Sequence, residues 1–296
     1  MKERKKQVTE NTGGITRREL FKGAATIGIA ASAGTLALNL TKTDADAAEK
    51  KMLPAKWDET IDTVVIGSGF AGLAAAAEAS KGGAKVVILE KMPVYGGNSV
   101  INGGEYNSWD DALHLREKLN LGDDSVDLHT KDTIKGGDFY GNPELVKIFT
   151  EGATPALNWM MEEGGAKLRN ILNRTGGHTA YRTHSAVAGV GREYTEALRK
   201  IAEKRGAKMV LNTEVTWIWR KDADPASPVL GLEVKRGRRV LNIKAAKALI
   251  LASGGFSRDL KMRLAHNPRL VPTFNCTNQP GATGEMIKYA QAVGAD

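Results

Sequence analysis

The 296-residue chain has a single cysteine, Cys276. That excludes an internal disulfide, a cysteine-based zinc site and a Cys-x-x-Cys-His haem attachment within these residues, so electrons would need another carrier. Histidine is scarce as well. Of His114, His129, His178, His184 and His266, only His178 and His184 have close spacing, in a glycine-flanked segment without nearby carboxylates; no metal is expected. Aromatic residues make up 6% of the chain, too few to interleave with its basic residues as a nucleic-acid surface would require. The formal charge of +8 does not alter this. Residues 1–47 hold eight Lys/Arg against five Asp/Glu, and without them the excess falls to +5. Nucleic acid is therefore not an expected partner. With 42% apolar residues, the chain is long enough to bury a sizeable core in one large domain or two smaller ones.

Long uncharged runs are absent except for residues 23–41, which are rich in Ala and Gly rather than in Leu or Ile. A basic segment precedes this run, and "ADA" at Ala45–Ala47 offers the small residues that a signal peptidase needs, giving a mature start near Ala48. The run is nearly long enough to span a membrane, so an uncleaved anchor is the alternative. Arg17 and Arg18 in "TRRELFK" resemble a twin-arginine signal, the address for export of folded proteins. The expected organisation is a leader over 1–47 handed to the twin-arginine translocase, a linker over 48–59 and a periplasmic domain over 60–296.

That domain opens with "DTVVIGSGFAGLAAAAEASKGGAKVVILEK". Thr63–Ile66 is a short apolar run of the kind buried on both faces of a parallel sheet. Gly67, Gly69 and Gly72 then form G-x-G-x-x-G at the start of an alanine-rich helix. The first glycine permits a tight turn, the second admits a pyrophosphate to the backbone, and the third lets helix and strand pack closely. The helix N-terminus supplies amide donors to the anion. Val86–Leu89 is a second strand, ended by Glu90, whose carboxylate is placed to accept hydrogen bonds from a ribose diol. Strand, glycines, helix, strand and acid together predict a dinucleotide site.

"EKMPVYGGNSVINGGEYN" follows, a polar glycine-rich loop suited to wrapping a ligand with backbone groups. Glu90, "GGNS" and the second glycine pair resemble the flavoprotein family of soluble fumarate reductases and flavocytochrome c, related to succinate dehydrogenase flavoprotein subunits. "TIKGGDFYGNPELVKIF", "LNTEV", "LILASGGF" and "TNQPGATGE" extend the resemblance in order over residues 60–296. It implies an α/β, Rossmann-like FAD-binding domain with a parallel central sheet, a helical insertion over about 105–175 and an antiparallel β-meander. It also implies that Glu90 holds the adenosine ribose and that Ala71 and the glycines lie on the pyrophosphate. Asn98, Ser99, Gly103 and Gly104 would border the ribityl chain and flavin ring, with Gly104 N–H toward the substrate. Val215 would stand beside adenine or be simply a strand residue, and Glu285 would close the site. Phe70, Lys91, Ser253 and Gly254 complete the implied cofactor contacts. The loop lacks the histidine to which covalent relatives attach flavin, so FAD would be noncovalent.

Elsewhere, residues 111–170 read largely helical, with Leu145, Ile148, Phe149, Leu157, Met160 and Met161 expected to turn inward. Residues 208–252 read as strands, with "KRGRR" turning between "LGLEV" and "VLNIKAA" and "KALILASGG" re-entering the nucleotide-binding sheet. "NRTGGHTAYRTHSAVAGVG" is either an ordinary surface loop or an active-site loop, in which Arg182 would meet a substrate carboxylate and His184 would bond to it or to the flavin. The family's clamp domain, with its substrate-binding Thr-Glu pair and proton-donating arginine, has no match in residues 1–296, so catalytic residues are expected beyond Asp296. The resemblance implies fumarate reduction in anaerobic respiration, fed by a separate cytochrome c or a quinol-linked donor. Reduction of methacrylate or urocanate, a flavin dehydrogenase, and a noncatalytic flavin-binding chain or subunit remain the alternatives.

Overall fold

A computed structural model describes residues 53–295; the expected leader, its cleavage site and the start of the linker lie outside the described residues. In order, the elements are β1 (Glu59–Ile66), α1 (Phe70–Lys81), β2 (Val86–Leu89), α2 (Gly97–Ile101), β3 (Glu105–Asn107), α3 (Leu115–Lys118), α4 (Val126–Gly136), α5 (Pro143–Glu162), β4 (Leu168–Asn173), β5 (Thr183–Ala186), α6 (Arg192–Lys204), β6 (Lys208–Val210), β7 (Thr213–Arg220), β8 (Val229–Arg236), β9 (Arg239–Leu251), α7 (Leu260–His266) and α8 (Glu285–Ala292). The larger sheet has the order β6-β2-β1-β9-β8-β7, and β3-β5-β4 form a second, antiparallel one.

In the larger sheet β1 pairs in parallel with β2 and β9, and β2 with β6, whereas β7, β8 and β9 form an antiparallel meander. The apolar runs of β1 and β2 are buried on both sides because alternate side chains enter different cores. Val65, Val86 and Ile88 pack with α1 and α6, while Val64, Ile66, Val87 and Leu89 pack with the meander and α8. Small residues on α1, Ala76 and Ala77, meet Ala197, Leu198 and Ile201 of α6, so the two helices share the first core. The hairpin turn expected at "KRGRR" falls between β8 and β9. The two strands expected after it are one: β9 pairs with β8 through its first half and with β1 through its second.

Two expectations need correction. The insertion is not helical throughout: β3 and β4 lie at its two ends, and both pair with β5, just beyond it, as a small sheet. The inward face expected of α5 holds only in its second half. Leu157 and Met160 are buried and Met161 partly so, but Leu145, Ile148 and Phe149 are exposed. The cause is rotation: at 3.6 residues per turn, Ile148 stands on the side of the helix opposite Leu157, and the buried stripe runs instead through Thr150, Ala153 and Thr154.

Candidate functional site

Three parallel strands, β1, β2 and β9, end together, and a cleft of about 680 Å³ opens at their carboxyl ends. This is where open α/β sheets hold ligands, and the volume suits a cofactor. The turn after β1 is built around its glycines. Gly67 has φ of 98°, and a Cβ there would stand 2.4 Å from Ala252 O at the end of β9. A Cβ on Gly72 would come within 1.9 Å of Gly67 O, so only glycine lets α1 seat on the turn. Gly69 is the N-cap of α1 and brings no side chain of its own; Phe70 N–H is taken by Ser99 Oγ, and Phe70 and Ala71, at the start of the helix, stand on the cleft wall.

Glu90, at the end of β2, is buried and lines the same cleft. Its Oε2 accepts from Ser68 N–H at 3.1 Å and from Ser68 Oγ at 2.6 Å, and its Oε1 accepts from Met92 N–H at 2.9 Å. Ser68 Oγ in turn accepts from Gly96 N–H at 2.9 Å, which ties the glycine turn to the "GGNS" segment. Three donors leave a carboxylate with acceptor capacity for a ribose diol. Sequence reasoning missed Ser68; its place between the glycines, 22 residues before Glu90, was the available signal.

The expected loop at residues 96–104 is partly helical. Within α2, Ser99 Oγ accepts from Phe70 N–H at 3.0 Å, and Asn98 Oδ1 accepts from Gln279 N–H at 2.7 Å. Both residues line the cleft, as do Lys91, Val215, Ser253, Gly254 and Glu285. Val215 lies on β7, an edge strand of its sheet, so among the described residues one side of that backbone is free of a strand partner. Glu285 begins α8, and its carboxylate binds Lys91 Nζ at 2.9 Å and the Thr283 hydroxyl. Burial raises its pKa, but the Thr283 hydroxyl and the Lys91 ammonium outweigh this and hold it below the usual range.

Gly103 and Gly104 are not on the cleft wall. Gly104 N–H is donated to Asn102 Oδ1 at 2.8 Å rather than directed at a ligand; its φ is 68°, and a Cβ there would stand 2.7 Å from the Val190 backbone. Arg182 and His184 also differ from expectation. Arg182 immediately precedes and His184 lies within β5, the central strand of the small sheet, and both are fully buried, so the segment that reads as a loop contains a strand. Arg182 is bidentate to Asp124 at 2.9 and 2.7 Å and reaches Asp132 at 3.0 Å. His184 Nε2 meets Asp111 Oδ2 at 3.0 Å. Carboxylates distant in sequence thus surround both, and their charge and hydrogen bonds are satisfied inside the insertion rather than offered to a substrate.

The comparisons agree with this geometry. Residues 62–296 match the family described as FAD binding domain. The acrylate reductase flavoprotein subunit of Shewanella woodyi is 34% identical over 95% of this chain, and urocanate reductase of Eggerthella lenta is 34% identical over 80% of it. The open conformation of a flavocytochrome c3 fumarate reductase superposes with a TM-score of 0.72 at 29% identity, covering 86% of this chain and 42% of that one. The chain spans 54% and 38% of the lengths of the first two relatives. A cradle that added Cβ atoms would fill, amides at a helix start and a carboxylate across from them fit a flavin dinucleotide, and with these matches the chain belongs to the FAD binding domain family of flavoprotein oxidoreductases, with FAD as its cofactor.

Proposed function

We propose that the chain is the FAD-binding portion of a flavoprotein reductase that reduces the carbon–carbon double bond of an unsaturated carboxylic acid, with fumarate to succinate as the reference reaction. The observation that carries the reading is the cleft at the ends of β1, β2 and β9, where the glycine turn and Glu90 converge. The substrates in the relatives' names, acrylate, urocanate and fumarate, share an alkene conjugated to a carboxylate. Bound FAD supplies hydride chemistry. The chain's own part is to hold it: α1 amides at the pyrophosphate, Glu90 at the ribose, β7 backbone beside Val215 at the adenine, and α2 with α8 along the remainder. No histidine or arginine lines the cleft among the described residues. The proton donor and the groups that grip the substrate carboxylate therefore belong, in this reading, to the additional length that the relatives possess. Electrons would come from a cytochrome or a quinol-linked donor.

A second reading is favoured by the same absence of histidine and arginine from the cleft among the described residues: a flavin-carrying subunit completed by another polypeptide. One preparation separates the two. Purified chain should be yellow and release its flavin on acid treatment, as noncovalent binding requires. Turnover of fumarate, acrylate or urocanate with reduced viologen supports the first reading; bound flavin with turnover only after a second polypeptide is added supports the second. Colourless, folded protein refuses both. We further propose export of the folded, FAD-loaded chain to the periplasm by the twin-arginine route, supported by Arg17 and Arg18 ahead of a weakly apolar run. Replacing both with lysine should leave flavin-loaded protein in the cytoplasm; unchanged periplasmic yield would contradict the route.

A further inference from the structure

The segment Gln279–Glu285 crosses over one wall of the cleft and is fastened to the other wall at two points. At one point Gln279 N–H donates to Asn98 Oδ1 at 2.7 Å. At the other, Lys91 Nζ donates to Glu285 Oε2 at 2.9 Å and to the Thr283 hydroxyl, joining residues 194 positions apart. The chain between these points is pressed against the same wall, since a Cβ on Gly281 would stand 2.9 Å from Met92 Cγ and 3.2 Å from Lys91 Cε. Lys91 follows Glu90 directly, so the ammonium is rooted in the strand end that holds the proposed ribose contact, while Glu285 opens α8 on the far side. Both side chains are partly exposed, 27% and 34%, which places the pair at the rim rather than in the core.

We infer that Lys91, Thr283 and Glu285 form an electrostatic strap across the mouth of the cleft, and that Lys91 is a positioning residue whose pairing sets how fast FAD leaves. The inference rests on the FAD reading above. A dinucleotide wrapped by backbone groups leaves only when segment 279–285 lifts from Lys91 and Met92. The Asn98 contact is a single hydrogen bond, whereas the Lys91 contact joins charges and a hydroxyl at a rim that solvent ions can reach. Release is therefore sensitive to ionic strength in a manner that the buried contacts of Ser68 and Glu90 do not share.

The test is the dissociation rate of FAD from the full chain, followed by flavin fluorescence after dilution, for wild type, Lys91→Met, Glu285→Gln and the exchanged pair Lys91→Glu with Glu285→Lys. Both single variants should release FAD about three- to fivefold faster, the range available to a rim ion pair. Raising salt from about 0.05 to 0.5 M should accelerate release from wild type but not from either single variant. The exchanged pair should return toward the wild-type rate and recover its salt response. Equal rates in all four proteins would overturn the strap. So would fast release from Lys91→Met with Glu285→Gln unchanged and no recovery in the exchanged pair, because Lys91 would then act on the cofactor itself. Wild-type protein that retains no FAD at all would overturn the cofactor reading, and the strap with it.

Discussion

Gly72 and Glu90 illustrate how single residues carry the cofactor site. A methyl group on Gly72 would stand 1.9 Å from Gly67 O, so Gly72→Ala must push α1 away from the turn that its amides complete. We expect at least about 2 kcal/mol of lost stability and loss of FAD retention, measured by urea denaturation and flavin fluorescence. Glu90→Ala strands the Ser68 and Met92 donors in a buried place and should cost about 2–3 kcal/mol, with FAD weakened further than the stability loss explains. His129 gives a pH signature far from the cleft. It is buried, its Nδ1 has no hydrogen-bond partner among the described residues, and burial, aided by the Arg182 and His178 charges, lowers its pKa to about 4 against the opposing pull of Asp124 and Asp132. The unfolded chain takes up this proton near 6.5, while the folded chain resists until about 4. Stability from this group is thus intact above pH 6.5 and declines as pH falls toward 4, by roughly 2–3 kcal/mol. Denaturation midpoints of wild type and His129→Phe between these pH values should diverge; parallel curves would remove His129 as the cause.

At the scale of elements, the insertion is held by charge where the sheet is held by apolar packing. Arg182 ties β5 to Asp124 ahead of α4 and to Asp132 within it, while Arg116 of α3 reaches the same Asp124 at 3.2 Å. Removing Arg182 leaves buried Asp132 without its counter-charge and Asp124 with Arg116 alone, so Arg182→Gln should cost about 3–5 kcal/mol, read by denaturation and by increased hydrogen exchange in β5 and α4. Helix α5 makes the opposite case. Ile148→Gln should shift stability by less than about 0.5 kcal/mol, whereas Leu157→Ala should cost about 2–5 kcal/mol. The same elements show why parts of the fold were legible and others were not. The β1–α1–β2 unit could be read because strand, glycine spacing, helix, strand and acid follow one another in a single short stretch, even though the Cβ that Gly67 avoids would strike Ala252 O far along the chain. The face of α5 was misread because two apolar clusters, each with helical spacing, were joined without following the rotation between them. Arg182 and His184 read as part of a surface loop or an active-site loop because their partners, Asp124, Asp132 and Asp111, lie 50 to 73 residues away and nothing local announces them. Ser68 was hidden for the same reason, its partner being 22 residues on.

For the whole molecule, cofactor and fold are linked. The cleft is built from β1, β2, β7, β9, α1, α2 and α8, which are brought together from both ends of the described chain, so a ligand that bridges them stabilises the assembled state by mass action, about 2.7 kcal/mol at a hundredfold excess over Kd. This gives the proposed export route its physical sense: the site exists only in folded protein, so a chain that carries FAD outside the cytoplasm is best loaded and folded before it crosses. The melting temperature should accordingly rise with FAD concentration and should not respond to riboflavin, which lacks the pyrophosphate and adenosine that the glycine turn and Glu90 address. The most direct test of the account is a titration of FAD into purified apo-chain, followed by flavin fluorescence. The account predicts saturable binding of one FAD per chain, released by acid and abolished by Gly72→Ala; a folded, cooperatively melting chain that leaves the fluorescence of added FAD unchanged would contradict it.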